Sequence, residues 1–321
     1  MMKRRATPLI FALLATAAAS AQAAWPDRAI TIVVPFSAGG NTDSIARIAA
    51  EWLTQTLHAT VIVDNRPGAN GAIAADYVAR AANDGYTLFL ATLPQMAIVP
   101  HLQKVRYDPL RSFTPVSIVA TNPMALAVAS NTKWNSLADV VKDAKAKPGQ
   151  VAYASASKGS VSHLTTALFA QRAGISMNHI PYKGGNPAMS DLLGGQVAMY
   201  FGNVAEILPH RDSSKIKVIA VSGTRRIEQL PGVPTIAEQG YPGFETSTWN
   251  AIAAPAGTPP EIVNKLATSL ESACTDAGFR GKLTAIGVDP LCSTPQAFAA
   301  TLTRDLAKWG KAIEISGAAK D

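Results

Sequence analysis

Cysteine is nearly absent from this 321-residue sequence, with Cys274 and Cys292 the only two. Together with five scattered histidines they offer no Cys/His framework for a metal, and neither a metal nor a cofactor is expected. A lone pair of cysteines forms a disulfide only where the compartment oxidises thiols and the two Cα atoms come close. The spacing alone leaves that pairing open. Charge is also sparse, at 16% of residues, and no Lys/Arg run is interleaved with aromatics, so no nucleic-acid partner is expected. Beyond the N-terminus no apolar stretch approaches the roughly 20 residues of a membrane-spanning helix. Gly-x-Ser-x-Gly does not occur, which weakens a serine-hydrolase reading without removing it, because unrelated triads carry no such motif. The stretch Asn65-Arg66-Pro67-Gly68-Ala69-Asn70-Gly71 lacks the glycine spacing of phosphate loops and dinucleotide sites. It reads as a turn whose Arg66 is a surface charge or a loop clamp.

At the N-terminus, Lys3, Arg4 and Arg5 precede an apolar run from Leu9 to about Ala19, followed by Ala21-Gln22-Ala23. A charged start, a short apolar middle and a small-residue cleavage site describe a secretory signal over residues 1–23, so the mature chain is expected in the periplasm. Those three basic residues belong to a formal excess of +7, and the mild positive bias left after their removal is compatible with anionic ligands. The remaining length suits two domains of about 100 to 200 residues each. With 48% hydrophobic residues, two separate cores can be filled.

Strand signals at Ile30 to Val34, Val61 to Asp64 and Thr87 to Ala91 each lead into a helix, the alternation of a mostly parallel sheet covered on both faces. Ile45, Ile48, Trp52 and Leu57 recur at helical spacing, and Ala72 to Ala82 is a second helix former. The pattern restarts after Pro123. Met124 to Ala129 reads as a strand, and Ser136 with Asp139 opens a helix in capping-box fashion. Further strands are expected at Val151 to Ala154, His179 to Pro181, Val197 to Phe201 and Lys217 to Val221. The last section is helical, with Pro259-Pro260 and Thr294-Pro295 as helix starts. Phe298, Leu302, Leu306, Trp309 and Ile313 form the apolar face of the final helix. The chain therefore divides into a first lobe from 24–122, a second lobe from 123–245, and a return to the first lobe with C-terminal helices from 246–321. Segments Phe113 to Asn122 and Phe244 to Ala253 are the expected crossings.

Two loops carry the chemistry. Val34-Pro35-Phe36-Ser37-Ala38-Gly39-Gly40-Asn41-Thr42-Asp43 runs from a strand through small residues into a helix. There, bare backbone N–H groups and the positive end of the helix dipole can face an anion. Asp43 is expected only to cap that helix. The second unit repeats the device at Tyr153-Ala154-Ser155-Ala156-Ser157-Lys158-Gly159-Ser160, where Ser155, Ser157 and Ser160 read equally as ligand donors or as caps. Both loops lie beyond the carboxyl ends of strands, where open α/β sheets bind their ligands. His163, one turn on, is expected to be a packed or hydrogen-bonded helix residue rather than a base. Lys183 in Pro181-Tyr182-Lys183-Gly184-Gly185 has no neighbour in sequence that would make it a nucleophile.

The sequence resembles the Bug family, the extracytoplasmic receptors of tripartite tricarboxylate transporters, over essentially the whole mature chain. The matching stretches are Trp25-Pro26-Asp27-Arg28, Ile32-Val33-Val34-Pro35-Phe36, Ala38-Gly39-Gly40, Asn65-Arg66-Pro67-Gly68, Asp84-Gly85-Tyr86-Thr87-Leu88, Pro181-Tyr182-Lys183-Gly184 and Asp191-Leu192-Leu193-Gly194-Gly195-Gln196. Each alone is weak; their order and spacing are specific. The resemblance implies an α/β fold of the two-lobed, type II periplasmic-binding kind that closes like a flytrap on a carboxylate. Carried onto this chain, it implies ligand contacts at Phe36, Ser37, Ala38, Gly39, Gly40 and Thr42, at Thr92 and Gln95, at Ser155, Ser157, Gly159 and Ser160, and at Tyr182 and Asn203. Ser37 stands where many relatives carry Pro, and Ala91 where a Gly is common. Both departures leave ligand size and polarity open.

The expected function is capture of a small organic carboxylate by a monomer and its delivery to membrane permease subunits, with a sensor kinase as a second kind of partner and no catalysis. Two alternatives stand beside it. One is an amino acid, amide or aromatic acid as ligand, where an α-amino group would require a carboxylate in the binding site that the sequence alone does not place. The other is a periplasmic hydrolase using Ser157 or Ser160 with His163.

Overall fold

The structure is a computed structural model describing residues 25–319, so the leader expected at residues 1–23 lies outside the described residues. The first unit comprises β1 (Ile30–Val34), α1 (Asn41–Leu57), β2 (Val61–Asn65), α2 (Ala72–Ala79) and β3 (Thr87–Thr92). Its strands are parallel, with Ile30 opposite Val61 and Ile32 opposite Leu88. Ile45, Ala49 and Leu53 of α1 pack on one face of β1, and Ala74, Ala75 and Val78 of α2 belong to the cluster on the other. Covered on both sides, β1 reads as an apolar run rather than an alternating one. A single π-type turn at Pro94–Ile98 leads into the short α3 (Val99–Leu102).

After β4 (Phe113–Ala129) the second unit contains α4 (Leu137–Ala146), β5 (Ala152–Ser155), α5 (Val161–Ala173), β6 (Asn178–Pro181), α6 (Gly185–Leu193), β7 (Met199–Asn203), α7 (Val204–Ile207) and β8 (Ile216–Val221). Strand β5 pairs in parallel with β6 and β7. The α4 start is a complete capping box: Ser136 Oγ accepts from Asp139 N at 3.3 Å and Asp139 Oδ2 accepts from Ser136 N at 3.0 Å. The chain closes with β9 (Ser247–Pro255), α8 (Pro260–Ala273), α9 (Ala277–Ala285), the two-residue β10 (Asp289–Pro290) and α10 (Pro295–Ser316).

Strand β4 joins the two sheets. Its first part pairs antiparallel with β9 from Phe113 opposite Pro255 to Pro123 opposite Ser247. From Met124 onward it pairs with β7 on one side and β8 on the other. A separate strand starting after Pro123 is the sequence expectation; the structure has one 17-residue strand running through it. Pro123 is tolerated because it sits where the strand changes partners, so its missing N–H interrupts no continuous ladder.

Three apolar clusters replace the two separate cores expected. One lies under α1, α8 and α9, a second under α6 and α7, and the third runs through both units, from Val33 and Phe89 to Phe169 and Phe201. Helix α10 makes that continuity. Its buried Phe298, Leu302, Trp309 and Ile313 belong to the shared cluster, and the helix touches α5 of the second unit as well as the turn before α3. Trp249 of β9 packs edge-on against Phe298 at 5.3 Å and donates to Asp305 Oδ2 at 2.9 Å. Cys274 and Cys292 form a disulfide with Cα atoms 5.9 Å apart, enclosing α9 and β10.

Candidate ligand-binding cleft

A cavity of about 340 Å³ opens beyond the carboxyl ends of β1, β3, β5 and β7. The first unit supplies Phe36, Asn70, Pro94, Ile98, Val99 and Leu102, and the crossing strands supply Met124 and Thr248. The second unit supplies Ala156 to Ser162, Tyr200, Asn203 and Glu206. A larger hollow of about 880 Å³ lies at the opposite, amino-terminal ends of β5 and β7, lined by Lys133, Lys142, Lys147 and other groups of the α4 side. Its wall carries the charges of Lys133, Asp139, Lys142, Asp143 and Lys147, whereas the smaller cavity combines an apolar wall with converging polar groups.

The start of α5 is tightly built. Ser160 Oγ accepts from His163 N at 3.3 Å and from Ser157 N at 3.2 Å, and donates to Ser157 O at 2.7 Å. Ser162 Oγ accepts from Ala156 N at 2.8 Å. With His163 N held by Ser160 Oγ and Leu164 N by Ser160 O, the first-turn amides of Val161 and Ser162 are the ones without a helical acceptor. Both residues line the cavity. Gly159 adopts φ +74°, and a Cβ there would meet Leu102 Cδ1 of the first unit at 2.7 Å.

Behind this loop the rings of His163 and His179 stack in parallel at 3.8 Å, with Tyr153 against His179 at 5.0 Å. Gly159 N donates to His163 Nδ1 at 3.0 Å, and Ser155 Oγ lies 2.6 Å from His179 Nε2. Burial lowers His163 to about 4, assisted by the neighbouring His179 and Lys158; burial and Lys158 lower His179 to about 4. His163 is therefore a packed, neutral support of the loop. Ser155, paired with His179, is fully buried.

Of the residues expected from sequence, Phe36, Ser157, Gly159, Ser160 and Asn203 line the cavity together. Ser37, Ala38, Gly39 and Gly40 form an exposed loop beside it, and Thr42 is half-buried in the first turn of α1. Asp43 accepts from Gly39 N at 2.9 Å, and also from Arg47 and Asn65, so it ties the loop after β1 to α1 and β2, whereas the N-cap position itself is Gly40 and carries no side-chain cap. Thr92 and Gln95 are buried and bonded to each other; Gln95 Nε2 donates to Asn70 O at 3.0 Å and so holds Asn70 at the cavity without reaching it. Tyr182 donates to Asp191 Oδ2 at 2.6 Å outside the cavity wall. Arg66 pairs with Asp64 at 2.7 Å and stacks over Tyr77. Ala91 is fully buried in β3 opposite Ala251.

Sequence reasoning missed Asn70, Leu102, Tyr200 and Glu206. The carboxylate of Glu206 accepts from Tyr200 OH at 2.7 Å and from Asn203 Nδ2 at 3.4 Å. Burial, then the Glu206 charge, pushes the Tyr200 hydroxyl far above the usual tyrosine range, so it stays a donor. A Cβ on Gly185 would lie 2.7 Å from that carboxylate. The second glycine of the Pro181 to Gly185 motif thus makes room for an acid contributed by another element.

The sequence profile of the tripartite tricarboxylate transporter family receptor matches residues 45–318. The chain belongs to this receptor family. Protein BugT of Bordetella pertussis is 37% identical over 296 residues, spanning 92% of this chain and 91% of BugT. Among solved structures, an R. palustris protein with adipate superposes at a TM-score of 0.78 with 36% identity, covering 91% of this chain and 98% of its own. MatC from Rhodopseudomonas palustris with bound malate superposes at 0.73 with 30% identity, covering 90% and 100%. The protein is accordingly a solute-binding receptor with the two-lobed periplasmic-binding fold. No helix among the described residues is long and apolar enough to cross a membrane.

Proposed function

We propose that this receptor is exported through the leader at residues 1–23, captures a small organic carboxylate in the cleft, and delivers it to the permease subunits of a tripartite tricarboxylate transporter. The observation that carries the ligand class is the α5 start: Val161 and Ser162, whose first-turn amides lack a helical acceptor, line the cavity with the serine loop, and the helix dipole there favours an anion. The apolar residues opposite suit a hydrocarbon body rather than a fully hydrated one.

The lobes divide near 122/123 and 245/246, where β4 and β9 cross. A ligand that touches both sides binds the closed arrangement better than the open one, and that difference drives closure. The permease then reads the closed form. A receptor of this kind performs no chemistry on its guest. Consistent with that, Ser160 Oγ is committed to capping and His163 Nδ1 already accepts from Gly159 N, so the two do not form a nucleophile and base pair.

Thermal-shift screening of ligand-stripped mature protein against an organic-acid panel, followed by product analysis of each stabilising acid, tests this reading. One or more acids should raise the melting temperature and be recovered unchanged. A panel without any shift, or a catalysed product, contradicts it.

A further inference from the structure

The positive charge of the described chain is confined to one unit. Residues 123–245 carry 12 Lys and Arg against 8 Asp and Glu, an excess of four, whereas 25–122 and 246–319 together carry 13 of each. Within the second unit the excess gathers on α4 and its flanks. The hollow of about 880 Å³ at the amino-terminal ends of β5 and β7 is lined by Lys133, Lys142 and Lys147. A second hollow of about 640 Å³, on the other flank of α4, is lined by Lys142, Lys145 and Arg172. Lys217 joins them, its Nζ donating to Trp134 O at 2.9 Å.

The acids of this face, Asp139 and Asp143, are engaged locally. Asp139 accepts from Asn135 N at 2.9 Å and from Ser136 N at 3.0 Å, and Asp143 pairs with Lys147 at 3.5 Å. Lys142 acts on Asp139 through space without an ion pair. Arg172 donates to Pro242 O at 3.2 Å, a carbonyl that leaves the guanidinium charge uncompensated. Six cations thus stand against two acids, and that difference equals the excess of the whole described chain.

Two kinds of surface would answer such a face. A bilayer rich in anionic lipid is flat and takes protruding basic and aromatic side chains. Here the cations rim two concave hollows, and the Trp134 ring between them is buried. The large hydrophobic side chains that are exposed, Ile62, Ile73, Tyr77, Leu110 and Leu291, all lie on the first unit. Charge set around a hollow suits a chain segment that enters it.

We infer that the α4 face is a docking surface for an acidic segment of a partner protein. It lies at the strand ends away from the cleft, so a bound ligand does not cover it, and the inference does not depend on which solute the cleft takes. Exposed charges of this kind speed and orient an encounter more than they tighten it, and salt weakens them.

Fluorescence anisotropy with a labelled deca-glutamate peptide, on the mature protein, tests it. The peptide should bind at about 20 mM salt and weaken about tenfold or more by about 200 mM, as the screening length shortens. Lys142→Glu with Lys145→Glu should weaken binding at low salt by about tenfold. Lys104→Glu with Lys311→Glu makes the same change of charge at exposed positions of the first unit and should cost less than about twofold. Lys142→Ala with Lys145→Ala keeps good helix formers in α4 and should give a smaller loss of the same kind, which secures the comparison should the charge reversal unfold the helix. Absence of peptide binding at low salt overturns the inference. Equal losses in the α4 and first-unit pairs overturn it too, since binding would then follow net charge alone. So does binding to phosphatidylglycerol vesicles that is tighter than peptide binding and lost with Lys142 and Lys145, which would make the face a membrane contact.

Discussion

Leu102 of the first lobe and Gly159 of the second touch across the cleft, so closely that a Cβ on Gly159 would stand 2.7 Å from Leu102 Cδ1. Gly159 also holds φ +74°, a backbone region that disfavours any side chain. The contact between the two units at this point therefore depends on this glycine twice, for its turn and for its lack of bulk.

Gly159→Ala separates the two effects. Strain at positive φ should cost about 1 kcal/mol of stability or somewhat more, read from urea unfolding. Holding the lobes apart should weaken ligand binding about tenfold, a loss of about 1.4 kcal/mol in closure. Adding Leu102→Ala should return part of the binding but none of the stability, because it removes the collision and leaves the strain. Equal recovery of both would mean that the contact does not govern closure.

The stacked histidines set an acid limit. His163 and His179 each fall from 6.5 in the unfolded chain to about 4 in the folded one. Between those values the unfolded chain binds more protons, so stability is full above about pH 6.5 and declines as the pH drops toward 4. The slope is at most about 1.4 kcal/mol per pH unit for each ring, and less for the half-buried His179, where water screens the charge. Melting temperature measured from pH 7 to 4 should fall across this window, and His163→Gln with His179→Gln should flatten it. An unchanged profile in the double variant would place the acid sensitivity elsewhere.

The disulfide between Cys274 and Cys292 spans 18 residues, including α9, whose Phe279 and Leu283 belong to the first-lobe core. Loop-closure entropy assigns such a cross-link about 3 kcal/mol. Paired Cys274→Ser and Cys292→Ser substitutions should lower unfolding free energy by that order. A loss below about 0.5 kcal/mol would show that α9 stays ordered in the unfolded ensemble or is held by its packing alone.

Local chemistry made much of this legible in the sequence, and long-range assembly hid the rest. Ser160 could be placed at a helix start because its hydroxyl serves amides within three residues, and Ser136 with Asp139 for the same reason. The β1 loop was legible as a turn into a helix, yet only Phe36 of it reaches the cavity wall. Gln95 and Thr92 fall in the right neighbourhood but turn inward to hold Asn70, a distinction that depends on side-chain direction and not on position in the chain. Glu206 gave no local signal: it sits in a four-residue helix, and its niche is completed by a glycine twenty-one positions earlier. Helix α10 showed its apolar stripe plainly, but a stripe does not say which elements it covers, and it covers both lobes.

Small-angle scattering on ligand-stripped protein, with and without a saturating acid from the thermal-shift panel, tests most directly whether one guest is gripped between two moving lobes. A smaller radius of gyration is expected in the loaded state, and in Gly159→Ala the same change displaced to about tenfold higher acid concentration. Identical dimensions in the stripped and saturated wild-type protein would contradict it.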